Sequence, residues 1–177
     1  MCLYIKPDAE PSIAESDIEV FKVVTKATIL HYADNSTKVA YKSPFQGMQY
    51  HIGAEYESNV VKDTLDVYDN PRFSGLMDIA VARADSDEVF DVGRVEEGLH
   101  SFQSYDDAVR FIHYRLTRSL FGGPTNPIRN YAVLRCVIPA GSEYYKGVWP
   151  YGVFNMNYVD SYASSALKVI EEIKEEV

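Results

Sequence analysis

The chain reads as an α+β protein, a mainly antiparallel sheet packed against one principal helix at about residues 105–120, with an irregular acidic insertion at about 58–97, in a single domain over 1–177. Three observations predict this. Several short stretches alternate apolar and polar residues with a period of two, the pattern of strands. One stretch, 105–120, repeats apolar residues at helical spacing behind a capping residue. The balance of 46% hydrophobic and 24% charged residues over 177 positions is that of one ordinary globular core.

Residues 17–24 put Ile18, Val20, Lys22 and Val24 on one face and Phe21 and Val23 on the other, a strand with much of both faces covered. Residues 28–32 and 37–41 flank Ala33, Asp34, Asn35 and Ser36, a hairpin pattern. Pro44 and Gly47 mark a turn over 43–47, and a strand resumes at 50–57, broken by Gly53. Gly98 to Phe102 reads as a short strand. Ser104, three residues before Asp107, then opens the helix in capping-box fashion. On the helical wheel Tyr105, Ala108, Val109, Phe111, Ile112, Leu116 and Leu120 share one arc, and Gly122-Gly123-Pro124 closes the element. Residues 131–138 form an apolar run broken by Arg135, a central strand, and 142–148 return beside it after Pro139 and Gly141. Residues 163–177 fit both periods, and periodicity alone favours a helix there.

The formal charge is −9, unevenly spread. Between Glu55 and Glu97 stand 12 acids against 4 bases, a net of −8, and from Gly98 to Lys146 stand 6 bases against 3 acids, a net of +3. An acidic surface of this kind serves solubility or meets a basic partner. It carries no basic stripe for nucleic acid, and no apolar run reaches the roughly 20 residues that cross a bilayer. Cys2 and Cys136 are too far apart for a disulfide framework or a metal quartet and fit a cytoplasmic location; the first residues carry no secretory pattern.

Four phrases, in order, carry a resemblance. They are Ser43-Pro44-Phe45-Gln46-Gly47 with Tyr50-His51-Ile52-Gly53; Glu97-Gly98-Leu99-His100-Ser101-Phe102 with Asp106-Asp107-Ala108; Cys136-Val137-Ile138-Pro139-Ala140-Gly141-Ser142-Glu143-Tyr144-Tyr145; and Tyr162-Ala163-Ser164-Ser165. Together they resemble a family of small proteins of bacteriophages and gut bacteria that carries no established activity. The resemblance spans the chain outside about 58–94 and implies a compact α+β protein; it also draws residues 166–173 toward a strand. A more distant similarity, in the strand before Ser104, the helix after it and Ile138-Pro139-Ala140-Gly141-Ser142, is to ADP-ribosyltransferase folds. That one implies NAD binding and a catalytic glutamate, following an Arg or His near the start. The early strand at 20–24 holds neither Arg nor His, and Glu171 and Glu172 lie beyond the expected place of the acid.

Three residues are candidate ligand contacts. Arg115 projects from the apolar arc of the helix, where a guanidinium either covers apolar surface with its stem or grips a carboxylate or phosphate. His51 and His100, each beside aromatic residues, form a candidate acid–base pair or belong to a sheet surface. Cys136 reads as a buried small hydrophobe. Tyr145, Trp149, Tyr151, Phe154 and Tyr158, threaded with glycine and asparagine, make a candidate interface, unless the rings fold back on the sheet. No catalytic constellation, metal site or cofactor is expected. The expectation is therefore a non-enzymatic binding protein of phage or mobile-element type, acting on a host protein or a small ligand. The alternatives are a nucleotide-binding enzyme on an ADP-ribosyltransferase-like scaffold and a self-assembling structural protein, a homo-oligomer. Nucleic acid and membrane are not expected partners.

Overall fold

The structure, a computed structural model, describes residues 3–6, 8–31, 36–44, 46–65, 92–113, 131–150 and 158–174. In chain order the strands are β1 (Leu3–Ile5), β2 (Ser12–Ile13), β3 (Ile18–His31), β4 (Ser36–Lys42), β5 (Gln49–Tyr50), β6 (Glu55–Glu57), β7 (Val61–Leu65), β8 (Val92–Glu97) and β9 (Leu99–Phe102). The helix α1 (Tyr105–Phe111) follows, and then β10 (Tyr131–Ile138), β11 (Glu143–Pro150), β12 (Tyr158–Ser164) and β13 (Ala166–Ile173). These strands form one sheet in the order β6-β13-β10-β3-β9-β12-β11-β1-β8-β7, with β2 on β11, β4 on β3 and β5 on β4. All pairings are antiparallel, and the sheet curls into a half-barrel. A register shift between Arg135 and Cys136 adds to the bend, as an extra residue in one strand does.

Alternation along β3 sets up two packed faces. Val20, Lys22 and Val24 join Ala132, Leu134 and Cys136 of β10, with Tyr41, Tyr50, Tyr162, Leu167 and Val169. We call this the tyrosine face. Val23 on the opposite side packs with Phe102, Tyr131 and Val133 and with Ala108, Phe111 and Ile112 of the helix segment, forming the helix face. A third group, Leu3, Ile5, Val95, Tyr145 and Ala163, gathers where β1 crosses β11. Gly147 permits that crossing, because a Cβ there would run into the Tyr4 carbonyl and the Ile5 side chain.

The expected sheet packed on one principal helix is overturned. The described helix is seven residues long, started by Ser104, whose Oγ accepts from the Asp107 N–H at 3.1 Å, and it passes into a wider turn at Ile112 and His113. It covers one apolar cluster of three, and the largest cluster contains no helical residue. Curling lets strands bury strands, so most of the core needs no helix over it. Residues 114–120 of the expected helix lie outside the described residues. The expected acidic insertion is also corrected at both ends: β7 and β8 pair antiparallel from Val61 to Leu65, and 66–91 lie outside the described residues. Residues 166–173, where periodicity favoured helix, form β13. Leu167 and Val169 are buried and Lys168 exposed, and pairing with both β10 and β6 overrides the helical period.

Candidate functional site

β3 is a central strand, with β10 on one side and β9 on the other. Lys22 stands at its middle, opposite Leu134 and between Val20 and Val24, both fully buried. The Phe21–Phe102 pair brings Ser101 of β9 beside Lys22 on the tyrosine face. A strap over residues 43–53 closes this face. It turns through the Ser43 N–H to Met48 carbonyl bond at 2.8 Å, pairs Tyr50 with Tyr41, and ends where the Gly53 N–H donates to the Val169 carbonyl at 2.9 Å. Gly53 adopts φ 82° at that corner, a conformation that favours glycine. The strap thereby lays Tyr50, fully buried, over the site, with the Tyr56 ring 4.9 Å away behind it.

Lys22 is 3% exposed. Its Nζ donates to the His100 carbonyl at 2.6 Å and lies 5.1 Å from the centroid of the Tyr50 ring. No carboxylate pairs with it among the described residues. Burial pulls its pKa from 10.5 down to about 8, against an opposing influence from Cys136, so the ammonium still dominates at neutral pH. Burial also pushes the Cys136 thiol up to about 12, with Lys22 opposing, and holds the Tyr50 hydroxyl far above its ordinary value. Two hydroxyl oxygens on this face, Tyr50 OH and Ser101 Oγ, are buried with no hydrogen-bond partner. A buried cation with no counter-charge among the described residues thus shares this face with two hydroxyls that have no partner there.

The sequence-based candidates fall in separate places. His100 is 2% exposed in β9, and burial, then the Lys22 charge, takes its pKa down to about 3 against a hydrogen bond with the Glu96 backbone. Its Nε2 is buried without a partner, and its carbonyl is the acceptor for Lys22. His51 sits exposed on the strap, its backbone N–H donating to Tyr56 OH at 2.7 Å, so the two histidines do not form a pair. Arg115 lies outside the described residues, as do Tyr151 and Phe154. Tyr145 is buried in the third cluster, and Trp149 packs edge-on against Phe111 at 5.9 Å with its Nε1 buried and unpartnered. Tyr158 begins β12, paired with Pro150. Among the described residues there is no cluster of three or more metal-ligating side chains, and no helix is long and apolar enough to cross a membrane.

Sequence reasoning passed over Lys22, Tyr50 and Ser101 as site residues. For Lys22 the signal was present, a charged residue at an inward position between two valines. For Ser101 it was not, because its place depends on pairing between strands about 80 residues apart. No family model, curated protein or solved structure matches the chain.

Proposed function

We propose that this chain is a non-enzymatic binding protein for a small anionic ligand, held on the tyrosine face at Lys22. The observation that carries the reading is the burial of the Lys22 ammonium with one carbonyl acceptor and no carboxylate among the described residues. An uncompensated buried charge costs several kcal/mol, and a fold that keeps one gains most where a ligand supplies the opposite charge. Tyr50 OH and Ser101 Oγ add neutral donors that have no partner among the described residues.

Thermal unfolding of the full chain with acetate or inorganic phosphate, against methylammonium chloride as the cation control, tests this. The melting temperature of the wild type rises with one of the two anions and not with the control, and Lys22→Met abolishes the rise. Equal responses of wild type and Lys22→Met contradict the reading.

A further inference from the structure

Beyond residue 25, β3 parts from β10. Up to Thr25 it pairs with β10, and from Thr25 to His31 its only partner among the described residues is β4. The two strands make a two-stranded arm seven pairs long. Ala27, Thr28, Ile29, Thr37, Lys38 and Val39 are all exposed, with Ile29 47% and Val39 38% open to solvent. A two-stranded ribbon exposed on both faces is marginally stable by itself, and its outer edges offer unpaired N–H and C=O groups. The base is anchored: Lys26 Nζ meets Glu172 Oε1 at 2.5 Å and Tyr41 OH donates to Glu172 Oε2 at 2.8 Å. Beyond that anchor the cross-strand pairs Ala27–Ala40 and Ile29–Lys38 put an apolar strip and a lysine on one face, with Lys42 at its foot.

The arm is basic in an acidic protein. Residues 25–42 hold three lysines against Asp34, a net of +2 within a chain of −9. At the other end of the same strands lies a groove of about 680 Å³, bounded by Glu55 and Glu57 on one wall and by the 139–142 turn on the other. Ile18, where β3 begins, pairs with Ile138 at the edge of that turn. At about 3.3 Å per residue, the arm's last described residue, His31, stands roughly 40 Å from Ile18. The arm therefore points away from its own groove and cannot fill it.

We propose that the arm of one copy docks in the Glu55/Glu57 groove of a second copy, Ile29 and Ala27 covering apolar surface while Lys38 and Lys42 meet the two carboxylates. Two copies lying antiparallel make this contact twice, which closes the assembly as a symmetric dimer. Glu55, Glu57, Lys38 and Lys42 are all exposed, so charge attraction steers the encounter and salt weakens it.

Sedimentation equilibrium of the full chain at low and high salt, with Lys38→Glu, Glu57→Lys and the double variant, tests the proposal. The wild type sediments as a dimer at low salt and dissociates as salt rises. Each single reversal weakens the dimer by about tenfold or more through like-charge contact, and the double variant recovers most of the loss, a recovery that misfolding cannot produce. A wild type that is monomeric throughout, single reversals that leave association unchanged, or a double variant no better than the singles overturns the proposal.

Discussion

Lys22 and Lys26 point from the same face of the same strand, four residues apart, and the fold treats them oppositely. Lys26, half-exposed at the base of the arm, is met by Glu172, which Tyr41 also holds. Lys22, in the interior, has a carbonyl and a ring face for partners and no acid among the described residues, with two unpartnered hydroxyls on the same face. A lysine serving only to hold the sheet together is served as Lys26 is, by a carboxylate, here from β13 on the far side of β10. The difference teaches that Lys22 lacks the compensation Lys26 has, and an apolar side chain of its size would fill the same space without a buried charge, which is what the proposed anion-binding role accounts for.

The largest effect that sharpens this contrast is in alkaline pH. The folded pKa of Lys22, about 8, lies below its ordinary 10.5. Between those values the unfolded chain binds the extra proton, so Lys22 makes the fold more stable as pH rises, by up to about 3 kcal/mol. Above pH 9 the raised Cys136 and Tyr41 groups, both near 12, act in the opposite sense, because the unfolded chain then releases protons that the fold retains. Subtracting the urea-unfolding free energy of Lys22→Met from that of the wild type at each pH removes the Tyr41 contribution and leaves Lys22 with its coupling to Cys136. The difference climbs from pH 8 to 10; a flat difference breaks the contrast.

A smaller effect belongs to the paired lysine. Burial pushes the Glu172 carboxyl upward, but hydrogen bonds from Lys26 and Tyr41 and the Lys26 charge outweigh it and hold its pKa below the usual range. Glu172 therefore stabilises the fold above its ordinary pKa, and that contribution fades as pH falls through the depressed one. Glu172→Gln at neutral pH costs about 1 kcal/mol, modest because Lys26 is partly solvent-screened. Urea unfolding reads it, and the anion-dependent rise in melting temperature stays as in the wild type. A loss of that rise would merge the two lysines into one network.

Much of the sheet was legible in the residues because local signals agreed. Val20, Lys22 and Val24 against Phe21 and Val23 announced a strand covered on both faces, and Ser104 announced a helix start. That strands rather than a principal helix cover most of the core was not legible, since a wheel records spacing and not which elements pair. Leu167, Val169 and Ile173 fit two periods, and only their partners in β10 and β6 decide. The site was harder. His100 was singled out for its imidazole, whereas its backbone carbonyl is what Lys22 uses. Tyr50 reaches the site by a strap, and Ser101 by a pairing of distant strands, neither of which periodicity encodes.

The account rests on Lys22 being a charge that the empty fold bears at a cost. Urea unfolding of wild type and Lys22→Met at pH 7, without added anion, measures that cost directly. The account predicts that the variant is the more stable protein, by about 1–4 kcal/mol. A variant equal to or less stable than the wild type would make Lys22 a structural residue and contradict the account.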